Sequence, residues 1–300
     1  MKKLSKVVSM VIITLLVFVF FGGCDKQQDT IKIATKPMTE QFILSEMLSI
    51  LIEENTDLKV EITKGIGGGT GNIHPALIKG DFHMYPEYTG TAWSYVLKKD
   101  IIPDNDTLYK ELQKEYEEKY DLKWVGSYGF NNTFGLGISK EVADKYNIKT
   151  YSDLAKYSSE LNFGAEYDFY EREDGFDALC DTYGLKFKEH MDLDIGLKYE
   201  AIKSKKVDII NIFTTDGQLS VSDMVVLQDD KNFFPSYYCA TVVRKDILQK
   251  YPELEEVLMK MDGIVSESEM AKMNYEVEGN GKDERTVAKD FLESKELIEK

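Results

Sequence analysis

The 300-residue sequence predicts an α/β protein of two lobes, each built around a largely parallel sheet. Three observations predict it. Strand and helix patterns alternate from residue 31 to residue 85, a second such set runs from residue 133 to residue 243, and the remainder of the chain is nearly all helical. No internal repeat or low-complexity linker separates the sets. The second therefore reads as an insertion into the first, with residues 31–128 plus 239–300 forming lobe 1 and residues 129–238 forming lobe 2.

Residues 31–34 read as the first strand. Thr39 is a candidate N-cap for the next helix, in which Ile43, Met47, Ile50 and Leu51 recur at helical spacing. Residues 58–63 form a second strand, the glycine-rich GIGGGTGN a left-handed turn into a short helix capped by Thr70 or Asn72, and residues 82–85 a third strand. A helix over 106–120 precedes DLKWVGSYGF and a strand over 133–139. The second set continues with helices near 141–146 and from Tyr151, a strand at 161–165, helices near 175–182 and 197–204, and strands at 207–213, 224–227 and 240–243.

In such a fold the useful surface lies at the carboxyl ends of the strands. KPMTEQ, GIGGGTGN and YPEYTGTAW come after the first three strands, so these unusual loops share one rim. The stretch DFHMYPEYTGTAW, residues 81–93, sets aromatic and hydroxyl side chains around a turn forced by Pro86. Trp93 and Trp124 are assigned to packing, and Tyr85 is left between packing and pocket.

Charge narrows the partners. The formal net charge is −16, and −19 without residues 1–23, which hold three lysines and no acids. Such a surface repels nucleic acid and anionic lipid. Residues 1–23 combine Lys2, Lys3 and Lys6 with an apolar run from Val7 to Phe21, the pattern of a secretory signal; that run is short for a membrane span. Beyond Cys24, an extracellular setting allows a disulfide between Cys180 and Cys239, although two buried small hydrophobes is the reading taken. His74, His83 and His190 are scattered without zinc-site spacing, so no metal and no cofactor are expected.

Several kinds of chemistry find no support. GIGGGTGN lacks the Gly-Lys-Ser/Thr of a phosphate loop, there is no HExxH, and Gly126-Ser127-Tyr128-Gly129 is not a nucleophile elbow. Glu166, Asp168, Glu171, Glu173 and Asp174 supply carboxylates of the kind glycoside hydrolysis needs, but Arg172 lies among them. No enzyme is expected.

IATKPMTEQ, GGGTGNIHPALIKGDFHMYPEYTGTAW, YGFNNTFGL, EYDFYEREDG, IFTTDG and QDDKNFFPSYY occur in that order. Together they resemble the substrate-binding proteins of ABC importers for glycine betaine, carnitine and choline. The resemblance spans nearly all of the chain after residue 23. It implies a type II periplasmic-binding fold, two lobes closing on a ligand in the cleft between them. A trimethylammonium group has no N–H to donate, so aromatic faces are its natural partners. Carried over by the resemblance, the cage rings are Tyr88, Phe134, Phe213 and Tyr237, two of them phenylalanine where the family has tyrosine.

The same resemblance makes Arg172 a carboxylate-binding residue of lobe 2 and assigns polar contacts to Lys36 and Thr91, with Gln41 and Asn132 beside pocket segments. Lys36 and Arg172 acting on one anion from opposite lobes would latch the cleft, which favours a zwitterion over choline. Ergothioneine is a bulkier alternative, and a polyamine a different one. Gly22-Gly23-Cys24 resembles a bacterial lipobox, with Phe21 in place of the usual Leu. That implies a diacylglyceryl anchor on Cys24, a short tether over residues 24–30, and a monomer on the outer face of the cell membrane that docks on a permease with its ATPase.

Overall fold

The computed structural model describes residues 29–100, 104–166, 169–170, 175–193 and 197–299. The leader with Cys24 lies outside them, as do Arg172 and its neighbours Asp168, Glu171, Glu173 and Asp174.

Lobe 1 begins with β1 (Thr30–Ala34), whose Ile31 and Ile33 are fully buried. Beside it run β2 (Lys59–Thr63) and β3 (Met84–Tyr88), both parallel to it. The returning strand β10 (Tyr238–Arg244) inserts antiparallel between β3 and β4 (Leu122–Asn131), giving the order β2-β1-β3-β10-β4. Four of the five strands therefore point the same way.

Both faces of this sheet are covered. On one face lies α1 (Thr39–Asn55), buried nearly all round because α9 (Glu253–Met259), α10 (Glu267–Glu278) and α11 (Glu284–Ser294) pack over it. The other face carries α2 (Thr70–Lys79), a π-helical turn over Thr91–Val96 and α3 (Asn105–Tyr120), with Tyr85, Trp93 and Trp124 in the core between.

Lobe 2 repeats the plan. Its sheet has the order β7-β6-β8-β5-β9, from β5 (Phe134–Ser139), β6 (Asn162–Ala165), β7 (Glu189–Asp192), β8 (Ile209–Phe213) and β9 (Met224–Val226). Here β5 is the antiparallel member. Helices α4 (Lys140–Tyr146), α5 (Tyr151–Ala155), α6 (Phe176–Tyr183) and α7 (Lys198–Lys203) lie around it, and α8 (Lys245–Lys250) belongs to lobe 1 after β10.

The chain crosses between the sheets twice, at 131–134 and at 235–238, and the crossings are bonded to each other. Asn132 N–H donates to the Tyr237 carbonyl at 3.1 Å, Tyr237 N–H to Asn131 Oδ1 at 2.6 Å, and Thr133 Oγ1 to the Pro235 carbonyl at 2.8 Å.

Several elements differ from the sequence reading. YPEY is strand rather than turn: β3 runs through Pro86, which lies opposite Thr241 of β10. Neither Thr39 nor Thr70 nor Asn72 is an N-cap, because Met38 and Gly69 hold those positions, Gly69 at φ 50°. DLKWVGSYGF is a strand with irregular register, where Gly126 and Gly129 take φ 63° and 109°. At Gly129 a Cβ would stand 2.8 Å from the Val265 carbonyl, so glycine is required. Edge strand β7 is exposed throughout and has no apolar alternation to announce it. Cys180 and Cys239 are both free thiols, Cys239 buried and Cys180 partly so.

Among the described residues no helix is long and apolar enough to cross a membrane, and no cluster of His, Cys, Asp and Glu is placed to hold a metal.

Candidate site: an aromatic cleft between the lobes

The ends of β3 and β8, the start of β5 and the chain entering β10 converge on a cleft of about 850 Å³. Tyr88, Phe134, Phe213 and Tyr237 all line it, joined by Lys36, Met38, Thr91, Tyr95, Lys98 and Asn132. Sheet register produces the grouping. Phe134 and Phe213 face each other across the β5–β8 ladder with ring centroids 4.6 Å apart, while Tyr88 pairs with Cys239, two residues beyond Tyr237. The Tyr237 ring rests on Gly90, where an added Cβ would come within 2.7 Å of it. Gln41, by contrast, is fully buried in α1 and does not line the cleft.

Lys36 stands where β1 ends. Its ammonium lies 4.6 Å from the centre of the Tyr88 ring and is ion-paired with Glu87. Glu87 is 0% exposed, and it also accepts from Thr70 Oγ1 at 2.6 Å, from the Tyr85 hydroxyl at 3.1 Å and from the Tyr88 N–H at 2.6 Å. These donors satisfy the oxygens of the buried carboxyl group. Lys36 thus meets the cleft as one half of a neutral pair.

Lobe 2 carries a counterpart. Lys198 Nζ lies 2.9 Å from Glu166, donates to the Asn211 carbonyl at 2.9 Å, and sits 5.8 Å from the Phe213 ring. Asn211 Nδ2 also donates to Glu166 at 2.7 Å. Glu166 is therefore committed to a structural pair and is not a free acid for hydrolysis. Each lobe backs one ring of the cleft with a buried, neutralised lysine.

Behind Tyr88 is a second carboxyl, Glu40, only 2% exposed. It accepts from the Tyr88 hydroxyl and from Asn132 Nδ2 at 3.0 Å. Burial pushes its pKa up, opposed by the hydrogen bond from Tyr88 and by the nearness of Thr215, Asn132 and Asn274. Burial, followed by the charge of Glu40, likewise drives the Tyr88 phenol well above its ordinary range, so this ring is neutral at physiological pH. At the rim, Lys98 lies 4.3 Å over the Tyr95 ring, and Lys99 pairs with Glu115.

Glu40, Glu87, Tyr95 and Lys98 escaped the sequence reading. Glu87 sits inside YPEY and Glu40 inside KPMTEQ, so the segments were visible, but nothing local says that an acid there is buried.

An aromatic cleft at the strand ends between two α/β lobes is the architecture of a solute-binding protein of the type II periplasmic class. Comparison with known proteins goes further. Residues 29–294 match the family described as the substrate binding domain of ABC-type glycine betaine transport systems, and the chain belongs to that family. It is a substrate-binding component of an ABC-type transport system, not an enzyme.

An ergothioneine transport permease/ergothioneine binding protein of Helicobacter pylori (strain G27) is 47% identical over 89% of this chain, which spans 48% of that longer protein. A carnitine transport binding protein of Listeria monocytogenes is 37% identical over 93% of this chain and 90% of its own length. A crystal structure described as a glycine betaine/carnitine/choline ABC transporter superposes with a TM-score of 0.86 at 34% identity, covering 91% of this chain and all of that one.

Proposed function

We propose that this protein captures quaternary-ammonium compounds such as glycine betaine, carnitine or choline in the aromatic cleft and delivers them to a membrane permease driven by an ATPase. The observation that carries the reading is that Tyr88, Phe134, Phe213 and Tyr237, drawn from both lobes and their crossing, line one cavity. A desolvated ring contributes about 0.5–2 kcal/mol to a cation. Four of them supply most of the roughly 8 kcal/mol of a micromolar complex before entropic costs.

A zwitterion is favoured over choline. Thr91 at the cleft wall and Arg172 from lobe 2 are its carboxylate partners, and Lys36, already paired with Glu87, is available to share. Ergothioneine is the second reading, supported by the 47% identical relative and by the two phenylalanines, which leave more room than tyrosines. The protein acts outside the cytoplasm as a monomer, held to the outer face of the membrane by lipid on Cys24.

Titrating the detergent-solubilised chain with glycine betaine, carnitine, choline, ergothioneine and spermidine, by calorimetry, tests this. At least one quaternary amine binds at micromolar concentration and spermidine does not. Tyr237→Ala removes that binding, and Arg172→Ala weakens zwitterions more than choline. Failure of every quaternary amine at millimolar concentration ends the reading.

A further inference from the structure

We propose that a groove behind the crossings sets the balance between open and shut lobes, and that Val221, Val226 and Ala271 on its walls are positioning residues for ligand capture. This rests on the reading of the cleft as the ligand site, and none of the three lines that cleft.

The groove, of about 880 Å³, runs between Leu219, Val221 and Val226 of lobe 2 and Ala271 and Tyr275 of lobe 1. It lies on the far side of a crossing from the cleft. Asn131 lines the groove and Asn132 the cleft, as successive side chains of an extended segment point to opposite faces. Thr214 and Thr215 divide in the same way, Thr215 lining a recess that shares Met38, Asn132 and Phe213 with the cleft.

Beside the crossing the lobes touch directly. A 3₁₀ turn over Gly217–Val221 of lobe 2 packs on α10 of lobe 1. At Gly217 an added Cβ would come 2.9 Å from the Tyr275 nitrogen and 3.1 Å from its Cα, so backbone meets backbone there. Asn274 Nδ2 donates to the Thr215 carbonyl at 2.9 Å, and Glu267 Oε1 accepts the Asn131 N–H at 3.2 Å. Together with the bonded crossings, these contacts make a pivot with the cleft in front and the groove behind.

A rotation about such a pivot that opens the cleft narrows the groove, and one that shuts the cleft widens it. Bulk added in the groove therefore opposes the open arrangement. Apparent affinity is the intrinsic affinity of the shut form scaled by the fraction of molecules already shut, so raising that fraction tightens every ligand by one factor. A change among the cleft residues would instead affect ligands unequally. Val221 and Val226 are 54% and 46% exposed, so larger side chains fit there without disturbing either core.

Calorimetry on the detergent-solubilised full chain compares the parent with Val221→Trp, using whichever of glycine betaine, carnitine, choline and ergothioneine bind the parent. Every such Kd falls at least threefold, and all by a common factor. Ile78→Trp, an exposed position on α2 outside the groove, leaves them unchanged. In small-angle scattering the unliganded Val221→Trp chain has a smaller radius of gyration than the unliganded parent.

A Kd that rises, changes less than threefold, or falls for one ligand and not another overturns the role of the groove while leaving the cleft reading in place. Should none of the four bind the parent, the cleft reading fails and scattering alone decides: a smaller radius in unliganded Val221→Trp upholds control of the lobes by the groove, and an unchanged radius overturns it. Val226→Trp, with the same expectations, replaces a Val221→Trp chain that fails to fold.

Discussion

Lys36 poses a problem of charge, since it holds an ammonium against the Tyr88 ring that the proposed function assigns to a ligand cation. Glu87 resolves it by pairing. Glu87→Gln leaves a buried ammonium uncompensated, and the expected cost is about 3–5 kcal/mol of stability in urea unfolding together with at least tenfold weaker choline binding. Lys36→Met with Glu87→Gln restores most of the stability. Glu40 gives a second prediction with a definite sign. Its folded pKa is raised by burial, so the unfolded chain loses that proton first and stability falls as pH climbs from the ordinary carboxyl value of 4.5. Glu40→Gln should therefore gain melting temperature relative to the parent as pH rises above that value, and an advantage that shrinks instead would refute the assignment. The four rings that line the cleft were named from the resemblance, because each sits in a short motif that carries it. Their supporting acids were not, because burial of Glu40 and Glu87 is decided by helices and strands distant in sequence.

Elements place these residues through register. The β3 ladder sets Tyr88 opposite Cys239, and Thr89 Oγ1 accepts the Tyr238 N–H at 3.1 Å, which keeps Gly90 beneath the Tyr237 ring. At Gly90 the backbone is ordinary, φ −63°, so alanine is tolerated by the chain but not by its surroundings, where Ser236 O and the Tyr237 ring each lie 2.7 Å from the new Cβ. Gly90→Ala should raise the ligand Kd at least tenfold, about 1.4 kcal/mol, while strain of about 1–3 kcal/mol lowers the melting temperature. Unchanged affinity would show that Tyr237 is not part of the cage. Strands with regular apolar patterning, such as β1 and β8, could be read directly from the sequence. Those without it could not: β4 is interrupted by Gly126 and Gly129 and β7 is an exposed edge, while β3, read as ending at Tyr85, runs on through Pro86 to Tyr88. Proline reads locally as a stop, and only the partner strand β10 shows that it is not.

For the whole molecule, the order of patterns and the absence of a linker suggested one α/β set inserted in another, and β10 joins the first sheet after β5–β9 have formed the second. The two bonded crossings that result were not, since their hydrogen bonds join residues about a hundred positions apart. A ligand held by rings from both sides should draw the lobes together. Saturation with glycine betaine at a hundred times its Kd is expected to add about 2.7 kcal/mol of stability and to lower the radius of gyration in small-angle scattering. A ligand that stabilises without compaction would mean that it binds one lobe only. Tyr237 has a further consequence. Its main chain belongs to a crossing, gripped by Asn131 and Asn132, while Tyr237 lines the cleft. Any swivel of one half against the other must tilt that phenol, so if the cleft takes the solute as proposed, capture and bending share one mechanical coordinate, readable from one isotopically labelled tyrosine.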